Sequence, residues 1–159
     1  MQPILKLVRQ FLPAAALAVL FAGCPGVADA QAARTFRGRL SPVPLDVAMQ
    51  ATISGAGSVS ATLSGTTLTI EGTFDGLKSP ATVAHVHIGR KGVRGPAFFD
   101  LKVSSGTGGA TSGTFGGVFQ LTPLQIDALT KGSFYVQLHS EKAPDGNLWG
   151  WLAQADAKR

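Results

Sequence analysis

The sequence predicts an all-β fold, an antiparallel β-sandwich or barrel of about eight strands with one short connecting helix. Short runs of alternating apolar and polar residues recur along the chain, separated by turn residues at roughly 8–12-residue intervals. The chain of 159 residues also contains 20 glycines, most of them between these runs. Only one segment has the pattern of a helix, which leaves the strands to form the core.

The first thirty residues predict an export signal. Lys6 and Arg9 precede an almost wholly apolar stretch at 11–23, and small residues at Ala28 and Ala30 follow it. This order is typical of a cleaved signal peptide, and the apolar part falls short of the roughly 20 residues of a membrane span. We therefore expect cleavage after Ala30, a mature chain of residues 31–159, and a periplasmic or secreted location.

A second interpretation of the same segment remains open. Residues 21–24 resemble a lipobox, in which Cys24 is lipidated and becomes the first residue of a membrane-anchored lipoprotein. Neither interpretation includes a membrane span. Cys24 is the only cysteine, so a domain released at Ala30 has no disulfide and no thiolate ligand.

The mature chain begins with a predicted strand in which Phe36 and Leu40 share a face, ended by residues 41–44. A hairpin follows, with strands at 58–64 and 67–74 joined by a turn at Gly65 and Thr66. Further strands are predicted at 81–88, 97–103, 113–120, 132–139 and 147–154, and a flexible surface loop at 104–112.

The single helix lies between the last strands of this series. Thr122 is a suitable cap, Pro123 suits the first helical position, and Gly132 ends the helix. Leu124 and Ala128 are predicted to share its apolar face. The helix is too short to form a layer of its own.

Charge and motifs exclude several classes of function. The formal net charge of the chain is +5, and loss of the signal segment lowers it by one unit. No run of like charges or interleaved aromatic residues is present, so nucleic acid is not an expected partner. There is neither a nucleophile elbow nor a phosphate-binding glycine loop, and we predict no catalytic residue.

The three histidines of the chain are the candidate metal ligands. In the strand at 81–88, alternation places His85 and His87 on the face opposite Val86. His139 ends another strand and lies on its outer face with Tyr135 and Gln137. If the two strands are neighbours, three imidazoles can meet at one ion.

Three imidazoles with an open position suit Zn²⁺ or Cu²⁺. The residues 90–94 carry three cations and would place positive charge near such an ion. The alternative is that the histidines are solvated groups on a polar face and that the domain binds no metal.

An ordered set of short motifs resembles the CHRD domain, the module named after chordin. The set includes residues 76–77, 81–89, 95–96, 99–101, 121–122, 135–136, 139–140 and 144–146, together with Leu129, Gly132 and Gly150. The resemblance covers residues 36–152 as a single domain. It implies an extracytoplasmic β-sandwich, immunoglobulin-like or superoxide-dismutase-like in form, with His85, His87 and His139 at the histidine positions of the family.

The chain also departs from that family. Asn147 and Trp149 replace an acid and an arginine that the family usually carries. Trp149 and Trp151 share an outer face, where they form either a ligand platform or a cover for the sheet. Tyr135, Gln137 and Trp149 are therefore further candidates for residues near the site.

The sequence thus leads to a ranked set of functions. The first is an exported CHRD-domain protein that binds copper, or less favourably zinc, through the three histidines. The second is a non-catalytic β-module that binds a protein or a cell-surface polymer. A superoxide dismutase-like enzyme ranks third, because the chain has too few histidines for a two-metal site and lacks the disulfide cysteines.

Overall fold

The computed structural model describes residues 32–106 and 111–155 and confirms the all-β antiparallel fold with one short α-helix. The predicted export segment 1–30, with Cys24, lies outside the described residues, as do residues 107–110 of the predicted loop. Within the described ranges, no helix is long and apolar enough to cross a membrane.

Nine strands and one α-helix follow one another along the described residues. The strands are β1 (Arg34–Pro42), β2 (Ala56–Ser64), β3 (Thr67–Asp75), β4 (Ala81–Ile88), β5 (Ala97–Ser105), β6 (Gly113–Gln120), β7 (Phe134–Ser140), β8 (Ala143–Trp151) and β9 (Ala153–Gln154). The helix α1 spans Pro123–Thr130, and a short 3-10 helix spans Ala48–Ala51.

Eight of the strands form a closed barrel. Their order is β2-β3-β6-β5-β4-β7-β8-β1, and β1 pairs with β2 to complete the circle. The first part of β1 pairs with β2, while Ser41 and Pro42 at its end pair with β8. The short strand β9 adds to β1 beside this junction. Closure leaves the barrel strands without a free edge for pairing with other chains.

The barrel interior is the hydrophobic core, and strand alternation fills it. In β2 the buried residues are Val59, Ala61 and Leu63, with exposed residues between them. Such a period of two places every second side chain inside. The largest fully buried apolar side chains of the core include Phe36, Leu40, Leu63, Leu68, Ile70, Leu129, Phe134, Leu138, Leu148 and Leu152.

The predicted hairpin has the expected register. Ser64 faces Thr67, so the turn contains only Gly65 and Thr66. Gly65 has φ of +57°, in the left-handed region that glycine enters without steric cost. The turn residue that the sequence singled out is therefore the one that the geometry requires.

The helix begins and ends as predicted, but it buries a different face. Thr122 Oγ1 accepts a hydrogen bond from the backbone N–H of Gln125, whose side chain in turn accepts from the Thr122 N–H. Leu124, predicted on the apolar face, is 82% exposed, whereas Leu129 is fully buried. The helix has only eight residues, and an apolar pattern this short does not predict which face of the helix packs against the barrel.

Two predicted strand boundaries also need correction. The strand predicted at 147–154 is two elements, β8 beginning at Ala143 and β9 at Ala153–Gln154. Leu152 interrupts them, with its N–H bonded to the Phe134 carbonyl. The first strand continues to Pro42, because its last two residues change partner from β2 to β8.

The outer side of β4, β7 and β8 is covered rather than open. Tyr135, Gln137 and Trp149 point away from the barrel interior, yet each is at most 4% exposed. Residues 89–96 lie over Tyr135, and the Ser54 N–H donates to the side-chain oxygen of Asn147. Loops therefore create a second buried layer on this side, and the histidines lie in it.

Candidate metal centre

Strands β4 and β7 are adjacent and antiparallel, which brings the three histidines together. His87 is opposite Tyr135 and His85 is opposite Gln137 in the register. His139 follows Gln137 by two residues on the same face of β7. All three imidazoles are partly buried on the outer side of the barrel.

One ring nitrogen from each histidine lies within 4.8 Å of the others. His85 Nδ1 and His139 Nε2 are 3.3 Å apart. Two nitrogens bound to one ion at about 2.0–2.1 Å can be at most about 4.2 Å apart. A pair at the 4.8 Å limit has to close by at least about 0.6 Å to bind one ion, whereas the 3.3 Å pair already fits.

Backbone carbonyls fix the orientation of two of the imidazoles. His87 Nδ1 lies 2.9 Å from the Gly95 carbonyl oxygen, and His139 Nδ1 lies 2.7 Å from that of Pro144. A carbonyl oxygen only accepts, so each Nδ1 carries the proton and each Nε2 has a free lone pair. Metal-binding histidines are usually held in this way.

His85 has a carboxylate on its other side. Its Nε2 lies 3.4 Å from Asp100 Oδ1, a side chain that is 92% exposed. When Nε2 holds the proton, Nδ1 is free to face His139 as a ligand. Asp100 was assigned no role from the sequence, but it pairs with His85 across β4 and β5.

The surroundings of His87 Nε2 favour a bound cation. This nitrogen is buried and has no hydrogen-bond partner among the described residues. A buried polar atom without a partner costs about 1–3 kcal/mol. A cation at the centre of the cluster would give this lone pair a partner.

Both carbonyl-bound histidines favour the neutral form that a metal requires. Burial lowers the pKa of His87, with opposition from the Gly95 hydrogen bond and support from the charges of His85 and Arg94. Burial likewise lowers the pKa of His139, against the Pro144 hydrogen bond. Both imidazoles are therefore neutral at pH 7.

An aromatic stack supports the back of His87. Its ring is stacked on Tyr135 at 4.8 Å, and Tyr135 is stacked on Trp149 at 5.6 Å. The guanidinium of Arg94 lies 5.5 Å from the centre of the Trp149 ring. Trp149 is thus a buried cover over the sheet, and Arg94 brings the positive charge expected from residues 90–94.

Gln137 holds the neighbouring hairpin rather than facing the cluster. Its side-chain N–H donates to the Asp145 carbonyl at 2.6 Å, next to Pro144, whose carbonyl orients His139. Tyr135 makes the corresponding link on the other side, because its hydroxyl bonds both backbone groups of Gly95. Gln137 and Tyr135 therefore hold the backbone segments whose carbonyls orient His139 and His87.

Two features of the site carry no sequence signal. The carbonyls of Gly95 and Pro144 belong to backbone, which any residue type supplies. Asp100 was detectable only through the pairing of β4 with β5, and a register shift between Val86 and His87 obscures that pairing.

A further cavity of the described chain lies away from the histidines. It measures about 990 Å³ and covers the outer faces of β1, β2, β3, β6 and β5. Its lining is mostly small and contains no histidine. Size alone does not identify a site, and the convergent imidazoles are the stronger chemical feature.

Comparison with known proteins agrees with the motif pattern. The CHRD domain family model matches residues 41–152. Searches of curated proteins and of solved structures found no match. The match covers most of the chain and nearly all of the barrel, from the end of β1 to the residue before β9. The chain therefore belongs to the CHRD domain family.

Proposed function

We propose that this protein binds one copper ion, and zinc more weakly, through His85, His87 and His139. The proposal rests on the buried lone pair of His87 Nε2, which has no partner among the described residues. Its companion ligands lie within 4.8 Å and are held by groups outside the cluster. We propose further that the protein holds this ion outside the cytoplasm, as the composition of residues 1–30 predicts.

The donor set favours copper over zinc. All three donors are imidazole nitrogens, which suit both ions, and divalent copper binds nitrogen sites more tightly than zinc does. No acid group belongs to the cluster, so it offers no feature that selects a harder ion such as Mg²⁺ or Ca²⁺.

The test is a competition titration of Cu²⁺ and Zn²⁺ against a coloured chelator. The purified chain should carry Cys24→Ser, because a free thiolate would also bind copper. We expect one ion per chain, and a loss of more than about 100-fold in affinity for His85→Ala and His139→Ala. Removal of the outer partners of metal ligands already costs 10–100-fold, and these variants remove a ligand itself.

Asp75→Asn is the matched control, since Asp75 is an exposed acid outside the cluster. Its affinity should equal that of the parent chain. Electron paramagnetic resonance of the copper form should show coupling to imidazole nitrogens, and this coupling should weaken in each histidine variant. Equal binding by parent and histidine variants would end the proposal.

A further inference from the structure

The outer surface beside the aromatic stack carries a basic cleft that differs chemically from the histidine cluster. This cleft of about 620 Å³ opens on the outside of the barrel, between β1, the loop at 89–96, the turn after α1, and β8 with β9. This volume is within the usual range of small-molecule sites. None of the three histidines lines it, so a ligand can occupy the cleft whether or not the histidines hold a metal.

The lining of this cleft is strongly cationic. Five of its residues are basic, and among the described residues no Asp or Glu lines it; the basic residues are Arg37, Arg39, Arg90, Lys91 and Lys131. They come from three separate segments of the chain. Folding therefore gathers like charges that the sequence keeps apart, at a cost in mutual repulsion.

Only one of these cations has an acidic partner within the described ranges. Lys131 Nζ lies 2.7 Å from Asp127 Oδ2. Arg37, Arg39, Arg90 and Lys91 make no ion pair or side-chain hydrogen bond to any residue that the structure describes, and all four are exposed. Their hydrogen-bond donors are available to an external group.

The type of cation narrows the chemistry of that group. Three of the five are arginines, whose planar guanidinium binds phosphate through two parallel hydrogen bonds. Arg37 and Arg39 lie on the same face of β1, two residues and roughly 6.5–7 Å apart. Trp151 adds an apolar wall to the same cleft.

We propose that this cleft binds a ligand with two or more phosphate groups. A single phosphate would leave most of the volume empty and several cations unpaired. The phosphates of a soluble molecule and those of a lipid headgroup share this chemistry, and the test separates the two sources.

The protein contains its own reporter for the test. Trp149 and Trp151 are its only tryptophans, and both line the cleft. Titration of the full chain with inorganic tripolyphosphate should change the tryptophan fluorescence along a saturating curve. The same titration with vesicles of phosphatidylcholine, with and without cardiolipin, whose headgroup carries two phosphates, tests the headgroup source.

The decisive variant is Arg37→Gln combined with Arg90→Gln, which removes two exposed cations from different walls. We expect it to weaken binding at least about tenfold, because each arginine can donate charge-assisted hydrogen bonds to phosphate. The matched control is Lys78→Gln combined with Lys142→Gln, which removes the same charge at positions that line neither this cleft nor the neighbouring cavity. The control should change the affinity less than about twofold at 0.15 M salt, where distant charges are screened.

Each result has a fixed meaning. Saturable binding of tripolyphosphate alone assigns a soluble ligand, and binding of cardiolipin vesicles that the cleft variant loses assigns a headgroup. Equal weakening by the cleft and control variants overturns the proposal, because the attraction is then only that of the net charge. Absence of saturation with both probes also overturns it. The histidine variants should leave these titrations unchanged, so the outcome is independent of the copper test.

Discussion

Each imidazole of the histidine cluster uses one nitrogen for support and turns the other toward the centre of the cluster. The support comes from Gly95 for His87, from Pro144 for His139 and from Asp100 for His85. Backbone carbonyls cannot be changed by a side-chain substitution and hold their imidazoles firmly. Asp100, nearly fully exposed, holds His85 more loosely, so His85 is the ligand best able to turn toward an ion.

Replacement of His87 by phenylalanine should separate metal binding from stability. The new ring keeps the stack on Tyr135, and the Gly95 carbonyl keeps its hydrogen bond from the Tyr135 hydroxyl. Because the variant removes an unpartnered buried atom, we expect the free energy of unfolding of the metal-free protein to stay equal or to rise by up to about 1 kcal/mol.

Urea denaturation with chelator present measures the difference in stability, and thermal melting with copper measures metal binding. The parent chain should melt at a higher temperature with copper, and the His87→Phe variant should not respond. A loss of more than about 2 kcal/mol in the variant would instead give His87 a structural role.

Acid should destabilise the metal-free protein. The pKa values of His87 and His139 are lowered in the folded state, chiefly by burial, from an ordinary value of 6.5. Below about pH 6.5 the unfolded chain gains protons that the folded chain does not, so the free energy of unfolding decreases as the pH falls toward the folded-state values.

Urea denaturation at pH 7.5 and at pH 5.5 tests the direction. The His87→Phe variant should lose less stability between these two pH values, since one of the two lowered groups is gone. Equal pH dependence in parent and variant would contradict the argument. Metal affinity should fall over the same range, because protons and the ion compete for the same nitrogens.

At the scale of elements, the alternation of apolar and polar residues predicted which strand face carries each histidine. It did not predict that the three histidines lie next to one another. A His-x-His pattern with an apolar residue between places both imidazoles on one face, whatever the strand order. Only the pairing of β4 with β7 brings His139 beside them, and strand pairing depends on contacts far apart in sequence. The predicted outer face was right, whereas its burial by loops had no local signal.

Glycine at the centre of β3 provides a test of how the barrel interior is filled. A Cβ atom built on Gly72 would lie 2.0 Å from the Phe115 ring. Gly72→Ala should therefore destabilise the fold by about 1–3 kcal/mol through overpacking. Ser60→Ala on the neighbouring strand points outward and serves as the control, with a change below about 0.5 kcal/mol. Equal values for both variants in urea denaturation would contradict the packing described for this face.

At the scale of the whole molecule, β1 holds the barrel closed by pairing with β2 along most of its length and with β8 at its end. The sequence predicted a sandwich or barrel and could not choose between them. That choice depends on two residues, Ser41 and Pro42, which looked like the end of a strand and are instead its junction with β8.

The closing strand should be essential for stability. Phe36 on β1 is fully buried in the core, and Phe36→Ala should lower the free energy of unfolding by about 3–5 kcal/mol. Leu124→Ala is the control, because Leu124 is 82% exposed and should change stability by less than about 0.5 kcal/mol. Guanidinium denaturation should show a lower midpoint with an unchanged slope for Phe36→Ala. A small effect would mean that β1 is not part of the cooperative unit.

Because loops cover the outer side of β4, β7 and β8, the molecule has two layers that tolerate substitution differently. The barrel interior is closed and depends on size and shape at every position. The histidines and their carbonyl supports belong to the outer layer, where residues 89–96 and the start of β8 set their orientation. Changes in these loops can therefore alter the binding properties of the cluster while the barrel stays the same, so descendants of one scaffold can differ in what they bind without differing in how they fold.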